Sequence, residues 1–183
     1  MASGYTATLP SDVLLDSGLL YIANTLVGAS RGGIKFHPNK EWRNVVFDGK
    51  RSDIVGLDRV VKFGPVLEGT LIVINATSLL LYEPGAASAT VGSVTTITPA
   101  KASSLIAAAS LITNLRALYP RGGGGFCEVA FPKAICTQWG LEGTDNEEVG
   151  VPFQFGARLD MSVGGATTDD APYKIRLITA VTD

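Results

Sequence analysis

The segment from Val149 to Asp160 alternates without a break. Val149, Val151, Phe153, Phe155, Ala157 and Leu159 fall on one side, and Gly150, Pro152, Gln154, Gly156, Arg158 and Asp160 on the other. Successive side chains of a strand point to opposite faces, so this is a strand with one dry face. Val151, Phe153, Phe155 and Leu159 are its expected core residues. The preceding stretch Gly143–Glu148 holds Asp145, Glu147 and Glu148 and reads as a solvated hairpin tip. Phe126–Gln138 is then the antiparallel partner strand. Its Pro132 removes a ladder donor and predicts a bulge or an edge position.

A chain of 183 residues is expected to form one domain over its whole length. It is 46% hydrophobic, enough for a core, and only 17% charged, below the usual quarter. With 21 glycines it reads as a β-rich chain with many turns. A low-charge, mildly apolar surface favours burial against partner subunits. The net charge is −2 and the basic residues are dispersed, which argues against a grip on nucleic acid. The most apolar stretches, Ser17–Ser30, Gly69–Tyr82 and Ala102–Leu115, each run about 14 residues, short of the roughly 20 needed to span a membrane. Met-Ala-Ser-Gly-Tyr lacks the basic-then-apolar pattern of a signal peptide, so a soluble cytoplasmic product is expected.

Residues 1–18 read as an N-terminal arm. Strands are expected over Gly18–Val27, from Gly33 to Phe36, over Arg43–Phe47, around Val60–Phe63 and over Val66–Asn75. His37-Pro38-Asn39, Asp48-Gly49 and Gly64-Pro65 punctuate them. Lys50–Asp58 is a charged connection. Residues 76–98 read as a loop or arm: Leu79–Tyr82 fits a helical turn or a short strand, and uncharged Ala86–Thr98 fits a loop or an exposed hairpin arm. The one long helix is expected over 99–118, capped by Thr98 and Pro99, with Leu105, Ala108, Ile112, Leu115 and Tyr119 on one face. Tyr173–Thr182 is the last strand. The sum is a mainly β (α+β) fold, a β-sandwich or partly closed barrel of about 7–9 antiparallel strands with one flanking helix.

Signals for chemistry are weak, and the chain reads as a non-enzyme without cofactor or metal. The single histidine, His37, precedes a proline in a turn with no nucleophile pattern beside it. Arg121-Gly-Gly-Gly-Gly follows the expected helix and precedes a strand, the reverse of a phosphate loop, and reads as a helix stop with positive φ. The carboxylates of 145–148 do not match a calcium loop. Cys127 and Cys136 lie nine apart, which on one regular strand places them on opposite faces, so both are expected as free thiols.

Three segments in order, Asn44-Val-Val-Phe-Asp-Gly-Lys, Gly64-Pro-Val-Leu-Glu-Gly-Thr-Leu-Ile-Val and Glu147-Glu-Val-Gly-Val-Pro-Phe-Gln-Phe-Gly-Ala-Arg-Leu-Asp, resemble the major tail proteins of long-tailed bacteriophages, the tail tube proteins. The resemblance spans roughly residues 33–160. It implies a β-sandwich or partly closed barrel with one helix, assembled as hexameric rings that stack into a tube through which genome DNA passes. It implies location in the virion tail after assembly in the host cytoplasm. The implied partners are further copies and other tail proteins: terminator, tape measure and distal tail proteins. In that frame Lys50, Arg51, Asp53 and Asp58, and the uncharged arm Ala86–Thr98, are expected inter-ring contacts. A head decoration or tail terminator protein is the alternative within the virion. A carbohydrate- or protein-binding module is the alternative outside it, and would need Trp42 or Trp139 as an aromatic platform.

Overall fold

The structure is a computed structural model and describes residues 18–22, 25–28, 30–45, 58–72, 76–143, 149–159 and 171–179. The fold is mainly β and antiparallel, with one short α-helix among the described residues. Its strands are β1 (Leu19–Ile22), β2 (Thr25–Leu26), β3 (Ser30–His37), β4 (Lys40–Asn44), β5 (Asp58–Phe63), β6 (Val66–Leu71), β7 (Ala87–Val91), β8 (Val94–Thr98), β9 (Ile112–Pro120), β10 (Phe126–Trp139), β11 (Val151–Ala157) and β12 (Lys174–Ile178). The helix, α1, is Ala76–Tyr82.

Eight strands form one sheet in the order β2-β1-β9-β10-β11-β6-β3, with β12 also paired to β10. Hairpins β4–β5 and β7–β8 stand apart as two-stranded sheets. The large sheet curls until β3 meets β1, where the Ser30 hydroxyl donates to the Gly18 carbonyl at 3.2 Å. No ladder joins those two strands among the described residues, so the sheet stays open rather than closing into a barrel.

The alternating strand is β11. Val151, Phe153, Phe155 and Ala157 are buried, and Phe153 and Phe155 pack with centroids 5.0 Å apart. Leu20, Ile34, Leu67, Leu71, Leu115 and Phe131 complete the same core from the neighbouring strands. Each fully buried Leu or Phe contributes about 1.5–3 kcal/mol relative to exposure. Leu159 does not belong to this core. It lies beyond the last ladder pair, Ala134↔Ala157, and is 50% exposed. Val149, before the strand begins, is exposed as well.

The helix expected over 99–118 is absent. Residues 99–107 are irregular, Ala108–Ser110 is a single 3-10 turn, and Ile112–Pro120 is β9. Leu105, placed on the expected helix face, is 98% exposed. The reason is visible in β9, which lies between β1 and β10. Leu115 to Leu118 are all buried because both faces are covered, and two-sided burial erases the period-2 signal that marks a strand. Pairing to two neighbours outweighs a modest helix propensity. The glycine run is accordingly a hairpin turn between β9 and β10, with Gly124 at φ 91° and Gly125 at φ 76°.

The actual helix is α1, seven residues long. A helix this short holds through packing rather than propensity. Leu79 and Leu81 lie against the core, and Tyr82 is buried between Trp139 and Phe155. Two smaller corrections concern the strands. The first expected strand splits into β1 and β2, which pair through Tyr21↔Leu26 and Ile22↔Thr25. The expected strand over 66–75 ends at Leu71, although β6 does lie between β11 and β3.

Pro132 sits inside β10, not at an edge. Phe131↔Leu115 and Lys133↔Thr113 bracket it, and Asn114 opposite adopts φ 55°. On its other side β10 pairs with β12 through Ala130 and with β11 from Ala134 onward, so Pro132 falls in the gap between two partners where no donor is needed. Core positions change there from Val129 and Phe131 to Ala134 and Cys136. The strand is therefore not regular between the cysteines, and the parity argument that separated them does not apply. Both thiols are nevertheless free.

Candidate assembly surfaces

The hairpin β7–β8 carries no charged residue. Gly92 at φ 63° makes its tight turn with Ser93. Pairing of Ala87↔Thr98, Ala89↔Thr96 and Val91↔Val94 sets Ala87, Ala89, Val91, Val94, Thr96 and Thr98 on one face, and that face is exposed, Val91 to 81%. On the other face Thr90 and Thr95 share a hydrogen bond at 3.0 Å. Among the described residues neither β7 nor β8 has a second strand partner; α1 lies against β8, and the β7 edge is left without one.

The hairpin springs from one end of β10. Tyr82 stacks on Trp139 with centroids 5.7 Å apart, and the Trp139 indole donates to Glu83 at 2.6 Å. Pro84 and Pro99, the two roots of the hairpin, line a small cleft with Cys136 and Trp139. Trp139 is thus committed to the fold and is not a free platform. Trp42 on β4 is exposed.

The other end of β10 carries β12. Ile175 faces Val129 and Leu177 faces Cys127 in the ladder, yet Ile175 and Leu177 are exposed, Leu177 to 67%. Tyr173 extends this strip toward Phe36 and Phe63, at 5.2 and 6.5 Å between centroids, and Lys40 lies over the Phe63 and Tyr173 rings. Phe63 is itself exposed. Beyond β10, β12 has no strand partner among the described residues. On its opposite face Arg176 grips the buried Glu128, which also meets Arg116 at 3.6 Å.

Of the expected inter-ring residues, Lys50, Arg51 and Asp53 lie outside the described residues. Asp58 opens β5, is exposed, and accepts a hydrogen bond from the Asn44 amide at 2.8 Å. The acidic tip at 144–148 also lies outside, but Glu142 and Gly150 close the chain beneath it with paired backbone bonds of 2.7 and 2.8 Å. His37 ends β3, exposed, within 3.1 Å of Glu68. A cleft of about 510 Å³ lies nearby, lined by Arg31, Lys35, Glu68, Glu142, Trp139 and Gln154 among others, with Gly32 and Gly33 at φ 72° and 82° on its rim. Among the described residues no three His, Cys, Asp or Glu side chains gather as metal ligands, and no helix is long and apolar enough to cross a membrane.

The β12 strip escaped sequence reasoning because Lys174, Ile175, Arg176 and Leu177 read as an ordinary half-buried strand. Only the ladder shows that its apolar side is left uncovered. No protein-family model matches the sequence, and no curated protein matches it significantly.

Proposed function

We propose that this chain is a structural subunit that self-assembles into the stacked rings of a phage tail tube, leaving a channel through which DNA passes. The observation that carries the reading is the β7–β8 hairpin: exposed, uncharged, with Val91 and Val94 bare at its tip and its β7 edge without a strand partner among the described residues. Chains that stay monomeric blunt such edges with charge, proline or a bulge, because open edges recruit other strands. Keeping an unprotected one is reasonable only where another subunit covers it. A mildly negative, low-charge chain also suits a tube that must let DNA slide rather than hold it. The resemblance over residues 33–160 supplies the class of assembly.

On this reading the charged connection Lys50–Asp58, of which Asp58 stands at the mouth of β5, takes part in contacts between rings. Terminator, tape measure and distal tail proteins bound the tube in the virion. The test is sedimentation velocity of the purified chain over a hundredfold concentration range. Self-assembly gives species that grow with concentration to large multiples of the 19.1 kDa chain. A single monomer boundary throughout contradicts it.

A further inference from the structure

The two unprotected apolar surfaces lie at opposite ends of one strand. The hairpin roots sit beside Cys136–Trp139, whereas β12 pairs with Phe126–Ala130. At about 3.3 Å per residue these ends are on the order of 20–40 Å apart, too far for the hairpin to fold back onto β12 of its own chain. Both surfaces have the same unmet needs: a row of unpaired backbone donors and acceptors, and an exposed run of apolar side chains. An open strand edge is satisfied by another strand, and an apolar strip with Lys40 lying over its Tyr173 end is best covered by a segment that brings no cation. The hairpin is such a segment, neutral from Pro84 to Ala100.

We infer that the β7–β8 hairpin of one subunit adds to the open edge of β12 of a second copy, laying Val91 and Val94 over Ile175 and Leu177. This rests on the self-assembly reading and names its contact. The joint is head-to-tail, since donor and acceptor are different surfaces of the same chain. Each subunit therefore keeps one free hairpin and one free β12, and repetition closes a ring or continues a filament. An isologous contact between the β7 edges of two hairpins, by contrast, would stop at a dimer.

Two complementary variants separate these cases. Replacing residues 87–98 with a short Gly-Ser turn removes the donor and keeps the acceptor. Leu177→Lys blocks the acceptor and keeps the donor. Each variant alone is expected to sediment as a monomer, Leu177→Lys with an unchanged far-ultraviolet circular dichroism spectrum and the hairpin deletion with a single cooperative thermal transition. Mixed in equal amounts they form one species of about twice the 19.1 kDa subunit mass, and nothing larger. Val91→Lys with Val94→Lys replaces the deletion, and Ile175→Lys replaces Leu177→Lys, should either first variant unfold. Assembly of Leu177→Lys at the wild-type concentration, or a mixture that stays monomeric, overturns the pairing. Wild-type chain that never assembles removes the self-assembly reading with it.

Discussion

Arg176 holds Glu128 with two charge-assisted bonds, Nε to Oε2 at 2.7 Å and Nη2 to Oε1 at 3.0 Å, although the glutamate is only 1% exposed and the arginine side chain is half in water. The two residues are ladder partners across β10 and β12, so the fork clamps β12 to the sheet. Arg116, on the neighbouring strand β9, meets the same carboxylate from within. Buried charges tolerate burial only when paired, and removing one partner leaves the other without its compensation.

Glu128→Ala should therefore cost about 3–5 kcal/mol, because it removes the carboxylate that faces the buried Arg116. Arg176→Ala should cost less, about 1–2 kcal/mol, since its own side chain is half in water and Arg116 remains to face the carboxylate. Urea unfolding of the two variants gives the order. Equal losses would mean that Arg116 does not share the load.

Replacing Phe153 with Asp should abolish cooperative unfolding, because it puts a carboxylate in place of a buried aromatic ring of the core. The same change at Leu159 should move stability by no more than about 0.5–1 kcal/mol, as that side chain stands half in water past the end of β11. Thermal melts of both variants test where the core ends. Comparable collapse in both would place Leu159 back inside it.

Alkaline pH should weaken the fold. Burial, with a smaller push from Cys136, raises the Tyr82 hydroxyl from 10.0 to about 12, and burial with Cys127 does the same for Tyr119. Burial raises the Cys136 thiol from 9.0 to about 11. In each case the unfolded chain loses its proton first. The stabilisation is complete below about pH 9 and is lost as pH climbs through 9–12. Urea midpoints should hold steady from pH 7 to 8.5 and fall above 9.5. A midpoint that rises with pH in that range would contradict the burial of these groups.

Neither Tyr82 nor Tyr119 finds a hydrogen-bond partner for its buried hydroxyl among the described residues. Tyr82→Phe should then leave stability at pH 7 unchanged or raise it by up to about 1 kcal/mol, since an unpaired buried hydroxyl costs rather than contributes. The variant should also flatten the alkaline fall. A loss above about 1 kcal/mol at pH 7 would mean that the hydroxyl is bonded.

How much of this could be read from the chain depended on how each residue is buried. β11 was legible because Val151, Phe153 and Phe155 face the core while Pro152 and Gln154 stay half-covered, which leaves the period intact. Its end was not, because Leu159 continues the pattern after the ladder to β10 has stopped at Ala157. β9 looked helical for the opposite reason: Leu115 to Leu118 are buried on both faces, so no alternation marks the strand. Leu79–Tyr82 fits a helix or a strand equally in isolation, and only stacking of Tyr82 between Trp139 and Phe155 decides it. The exposed hairpin was legible as a neutral arm around Gly92-Ser93. Its counterpart on β12 was not, since exposure of Ile175 and Leu177 is a property of the sheet edge and not of the local sequence.

Whether this chain builds a tube is decided by negative-stain electron microscopy of the purified protein at rising concentration. Hollow rods of uniform width are expected, lengthening with concentration and vanishing in the form lacking residues 87–98. Monodisperse monomers at every concentration, or single rings that never stack, would contradict it.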